Sequence, residues 1–272
     1  MRSIIIATDF SDIATNAAEY ACNLATHFNA PVTVVHSYII PVIFHENPMP
    51  VISIEEEKNL ATAQMHKLTD KLRSTFPGLS ISSSIIYGDI TDNLKEIVAE
   101  QNPWMVVVGN SSNDDSSFWL GSNLLSTLRH ISCPVLAVPA GYTYKKVEKI
   151  AFACDFKNVT DWLPAKDLVQ LVSHTGGGLH VINVDQKRGA DDMSFELKHL
   201  YESIKDASPE YHYLGEEDID KALQAFVTTN EIDWLIVVPH KHTFFESLFH
   251  KSQTKEIVRN AAVPILALHE KN

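Results

Sequence analysis

The sequence predicts an α/β protein built from two tandem, doubly wound parallel-sheet domains. Three observations carry that expectation: an internal repeat, continuous apolar runs of strand length, and helical periodicity between the runs. The repeat shows at four places in the same order. Ile5 to Phe10 matches Ile150 to Phe156, each run ending in Asp-Phe, and Val32 to Ser37 matches Leu179 to Val184. Trp104 to Gly109 matches Trp234 to Pro239, and Cys133 to Val138 matches Val263 to Leu268. Single apolar runs recur by chance, but an ordered series of four does not. The copies are expected at residues 1–142 and 147–272, with the junction near Gly141 to Lys146.

Taken in order, the first run is rich in Ile rather than alternating, as a strand covered by helices on both faces requires. Ser11 can cap the following helix, whose Ala17, Ala21, Leu24 and Phe28 recur on one face. The Val32 run is the second strand. The excursion from Pro41 to Pro50 is rich in proline and apolar residues, which suits a lid, a docking segment or a cover for the core. Leu94, Ile97 and Val98 stripe the helix before Trp104, and Leu120, Leu124, Leu125 and Leu128 stripe the one before Pro134. Sheets of this kind collect ligands at the carboxyl ends of their strands, where the strand order reverses. Those positions are Thr8-Asp9, His36-Ser37 and Gly109-Asn110, with Cys154-Asp155, Asn183-Val184 and Pro239-His240 in the second copy.

Composition narrows the function. At 272 residues with 45% hydrophobic and 21% charged, the chain has room for two domains with real cores. A formal charge of -12 argues against nucleic acid as a partner, because affinity for a phosphate backbone comes from Lys and Arg. No apolar stretch approaches the roughly 20 residues that span a bilayer, and the amino terminus reaches Asp9 too early for a signal peptide, so the expected location is cytoplasmic. Cys22, Cys133 and Cys154 form no CxxC pair and are expected to be small buried residues. There is no Gly-x-Ser-x-Gly elbow, no Walker loop and no HExxH. Among thirteen histidines the nearest approach to a cluster is His240, His242 and His250, which lack strong ligand spacing, so no metal site is expected.

Two features could carry binding chemistry. Asp9 and Asp155 each end a first strand, where a carboxylate can accept hydrogen bonds from a ribose or from the amides of the next helix. The segment from Gly109 to Asn123 is rich in Gly, Ser, Asn and Asp and runs into a helix, whose unpaired amides suit an anion such as phosphate.

A first strand ending in Asp9-Phe10-Ser11, a second ending in Val35-His36, Gly121-Ser122 before a helix, and a last strand Cys133-Pro134-Val135-Leu136-Ala137-Val138 together resemble the universal stress protein family. The resemblance covers both halves. It implies two Rossmann-like domains of the adenine nucleotide alpha hydrolase type, fused in tandem and paired through their last strands as a pseudo-two-fold dimer. A further homodimer through other surfaces stays open. It also implies ATP, with Mg²⁺, in the first copy: Thr8 and Asp9 at the ribose, Ser37 at the adenine, and Gly109, Ser112, Gly121, Ser122 and Asn123 around the phosphates. The sequence departs from the family signature in having Ser112 for a glycine, eight residues before Gly121 where nine are usual, and Asp114 and Asp115 in the loop. The second copy departs further, with Pro239 at the strand end and His250-Lys251-Ser252 in place of Gly-Ser, and no family-type ATP site is expected there. The resemblance implies a stress-response regulator that binds a ligand, meets protein partners not yet identified, and catalyses nothing. The alternatives are a scaffold or apolar-ligand binder without nucleotide, and a slow ATP hydrolase.

Overall fold

The computed structural model describes residues 2–39, 54–110, 127, 130–154, 156, 158–183, 195–214, 219–239 and 262–269. The Pro41 to Pro50 excursion, the leucine stripe from Leu120 to Leu128 and the His240 to His250 segment lie outside them.

Every β1 residue is buried (Ile4–Ala7) because alternate side chains feed opposite apolar layers. Ile4 and Ile6 enter one layer, and Ile5 and Ala7 enter the other. Helix α1 (Asp12–Phe28) begins where the Ser11 hydroxyl accepts the Ala14 amide, and it buries Ala17, Ala21 and Leu24 against the first layer. Next come β2 (Val32–Tyr38), α2 (Ile54–Thr75), β3 (Ile81–Tyr87), α3 (Ile90–Gln101), β4 (Met105–Asn110) and β5 (Val135–Pro139). Leu68 and Leu72 of α2 join the first layer, while Leu94, Ile97 and Val98 of α3 join the second. The sheet is thus wound on both faces.

The second half repeats this plan with β6 (Lys149–Cys154), α4 (Val159–Trp162), α5 (Ala165–Thr175), β7 (Gly178–Asn183) and α6 (Phe195–Ile204). It ends with β8 (Glu210–Tyr213), α7 (Ile219–Thr229), β9 (Trp234–Val237) and β10 (Ile265–Ala267). One ten-stranded sheet runs through the molecule in the order β3-β2-β1-β4-β5-β10-β9-β6-β7-β8. Every neighbouring pair is parallel except β5 with β10, which pair antiparallel in the register Leu136 to Leu266. The two halves therefore meet through their last strands around a pseudo-two-fold axis.

The repeat picks out four strands in each half, whereas the structure has five. The additional strands, β3 and β8, are the outer edges of the sheet. An edge strand lacks the two-sided burial that makes a continuous apolar run, and Ser82 and Ser83 of β3 are exposed.

Side chains also lock the halves together. The Trp234 indole donates to the Tyr20 hydroxyl at 2.7 Å in a buried contact, and Tyr142 and Tyr144 of the connecting segment pack on the Tyr20 ring. Asn16 of α1 donates to the carbonyls of Pro139 and Tyr142. Asp233, 4% exposed, accepts the amides of Glu148 and Lys149 and pairs with Lys145 at 2.7 Å. That carboxylate is well satisfied, as a buried charge must be.

Candidate functional site

In the first half the strand order reverses between β1 and β4, and the turn that leaves β1 shapes the crevice there. The Thr8 hydroxyl accepts the Phe10 amide at 3.0 Å, and Asp9 Oδ1 accepts the Ser11 amide at 3.0 Å. Phe10 sits at φ 65, the left-handed region that a bulky residue adopts only under constraint. The Phe10 ring thereby lies 4.3 Å from the His36 ring, centroid to centroid, partly buried and packed against the core. The second half shares two of these features. Phe156 has φ 56, and its amide meets Cys154 Sγ at 3.3 Å where the first half uses a hydroxyl.

The unusual atom is Asp9 Oδ2. It is buried and has no hydrogen-bond partner among the described residues, although its twin Oδ1 is engaged. A buried carboxylate oxygen left without a donor is costly, so its natural complement is a hydroxyl or amide that binds there. Beside it, His36 donates its Nδ1 proton to the Thr8 carbonyl at 2.8 Å, which fixes the imidazole against the β1 turn. Burial holds His36 below the usual imidazole range, against the opposing pull of that carbonyl and of the Asp9 and Glu57 carboxylates.

The other expected residues divide. Thr8 is fully buried with its hydroxyl committed to the turn, which makes it a positioning residue for Asp9. Ser37 is fully buried too, and its hydroxyl accepts the Asn93 amide of α3 at 2.8 Å. What that strand end offers is its backbone and Ile39 just beyond, 48% exposed. Gly109, next to last in β4, lies against the start of α1, where a Cβ would stand 2.9 Å from Ile13 Cγ2 and 3.1 Å from the Ile13 carbonyl. Glycine is there for close approach of strand and helix. Asn110 follows it, buried at the strand end. Ser112, Gly121, Ser122 and Asn123 lie outside the described residues, as do Asp155 and His240. The structure thus places Thr8, Asp9, Ser37 and Gly109 near the carboxyl ends of the neighbouring strands β1, β2 and β4, and Ile13, His36 and Asn93 contact them. Of these three only His36 was marked in the sequence by its place at a strand end.

A separate cleft of about 770 Å³ lies between the halves. It is lined by His130 and Cys133 of the first and by Leu163, Lys166, His199 and His269 of the second.

Comparison with known proteins agrees with the fold. The model of the universal stress protein family matches residues 1–139. The chain belongs to that family. It is 26% identical over 145 residues to universal stress protein MJ0531 of Methanocaldococcus jannaschii, covering 50% of this chain and 81% of that one. Its fold is similar to a universal stress protein structure from Archaeoglobus fulgidus, with a TM-score of 0.71, 16% identity and 98% of both chains covered. That likeness extends the family fold across both halves. A shorter universal stress protein from Archaeoglobus fulgidus has been solved in complex with dAMP; it is 18% identical, with a TM-score of 0.39, and covers 50% of this chain and 97% of its own. No helix among the described residues is long and apolar enough to cross a membrane.

Proposed function

We propose that this universal stress protein binds an adenine nucleotide in its first half and acts as a ligand-responsive regulator rather than an enzyme. The observation that carries the reading is Asp9 Oδ2, a buried acceptor without a donor among the described residues, at the strand-order reversal. A ribose hydroxyl is a donor of the right kind, and the phosphates would extend from there towards the loop that follows Gly109 and Asn110. The base would lie along the end of β2, against backbone and Ile39. That a family relative has been solved in complex with dAMP supports the same reading.

Regulation needs only a ligand with different affinities for two arrangements of the protein. The crevice lies beside the start of α1, and α1 carries Asn16 and Tyr20, which touch the connecting segment and the second half. Occupation of the crevice would therefore act on the pairing of the halves through one rigid helix, with no bond made or broken.

The test is thermal stability with and without millimolar Mg-ATP. Ligand at about 100 times its dissociation constant stabilises a protein by about 2.7 kcal/mol. The parent protein should gain a shift of that order and Asp9→Ala should lose it. No shift in the parent would overturn nucleotide binding, and Asp9-dependent release of phosphate from ATP would overturn the absence of catalysis.

A further inference from the structure

The outer edge of the second half carries a cluster that the first half lacks. His180 of β7 pairs in register with Glu210 of β8, and His212 stands two residues further along β8 on the same face. His180 Nδ1 lies 3.1 Å from His212 Nε2 and 3.5 Å from Glu210 Oε2, and one ligand atom from each residue falls within 4.8 Å of the other two. At the matching positions of the first half, Thr33 pairs with Ser82, Ser84 follows, and the Thr33 and Ser82 hydroxyls meet at 3.0 Å. The same corner of the fold is therefore filled by hydroxyls in one copy and by two imidazoles and a carboxylate in the other.

We propose that His180, Glu210 and His212 form a binding site for a divalent transition-metal ion of the zinc type, with water completing the coordination. The distances fit. Metal bonds of 2.0–2.1 Å in tetrahedral geometry place neighbouring donor atoms about 3.3–3.4 Å apart, between the two separations observed. Two imidazoles and one carboxylate are an established donor set for zinc, and one that leaves a position open.

The surroundings favour a site with one fixed side and one adaptable side. His180 and His212 are partly buried, and the Phe226 ring of α7 packs on the His212 ring at 4.8 Å, which sets its orientation. The Glu210 side chain is 72% exposed, so it can close on an ion without disturbing the core. The nearby cation is Lys149, whose ammonium is held by the Asn230 carbonyl at 2.9 Å and by Glu231 at 3.9 Å.

The proposal is independent of the nucleotide reading, and its test is a titration of full-length, chelator-treated protein with Zn²⁺ by calorimetry and with Co²⁺ by visible absorption. One equivalent of Zn²⁺ should bind, and Co²⁺ should develop the intense bands of a four-coordinate N/O site. His180→Ala and His212→Ala should each weaken binding at least about tenfold, the lower bound seen even for losses outside the coordinating set. Glu210→Gln, an exposed change that leaves the core intact, should weaken it as well, whereas His199→Ala should not. Absence of stoichiometric binding in the parent protein would overturn the proposal. So would affinity unchanged in Glu210→Gln and in folded His180→Ala and His212→Ala, which would leave the pair as hydrogen-bonded histidines.

Discussion

Asp9 and His36 stand at the ends of two neighbouring strands, and the carboxylate bears on the imidazole. Burial pushes the imidazole towards its neutral form while the carboxylate beside it favours the charged form, and burial is the stronger influence. The consequence for stability has a definite sign. As pH falls below the ordinary imidazole range, about 6.5, the unfolded chain takes up a proton that the native state resists. Stability attributable to His36 is therefore present above that pH and declines until the lowered native value is passed. Urea unfolding at pH 7.5 and 5.5 should show this loss, and His36→Gln should reduce it. Equal pH dependence in both proteins would contradict the assignment. At this scale the sequence was readable only where chemistry and position coincide. Asp9 ends a strand and precedes a helix, so it stands out, but Asn93 reaches Ser37 from 56 residues away and leaves no local trace. The His180, Glu210 and His212 cluster was hidden for the same reason, since the register of β7 on β8 is set by a crossover and not by neighbours in the chain.

Among the elements, the closest approach is that of β4 to α1, and Gly109 makes it. Adding a methyl group there would push on Ile13 backbone atoms as well as its side chain, and backbone cannot yield as a flexible side chain can. Gly109→Ala should cost about 1–3 kcal/mol, the usual range for overpacking, read as a lower urea midpoint with an unchanged slope. It should also weaken any ligand held by the β1 turn, because α1 starts at Asp12, just beyond that turn. The interior strands and α1 were legible because two-sided burial and a 3.6-residue stripe both leave strong periodic signals. Strands β3 and β8 were not, because an edge is half exposed and its residues are chosen for solvent as much as for the core.

At the scale of the whole molecule, β5 and β10 are each the last strand of a half, and each covers the other's open edge. A fragment of residues 1–142 would expose β5 with Val135, Leu136 and Ala137 unpaired along it, and exposed edges seek partners. Such a fragment should self-associate into a dimer through antiparallel β5 strands, while the full chain should not use that surface. Light scattering of both would decide the matter, and a monomeric fragment with native circular dichroism would show that the joint is not held by strand pairing. The duplication itself was plain in the sequence, since four ordered matches survive even where individual residues have drifted.

The antiparallel joint between β5 and β10 also bears on how the chain can change over generations. In a dimer of identical chains every substitution is made twice, and a variant that suits one site but harms its twin is rejected. Joining the halves in one polypeptide lifts that coupling. Thr8 and Cys154, or Thr33 and His180, can then follow separate histories within a single sheet, and a chemistry acquired at one end need not be tolerated at the other.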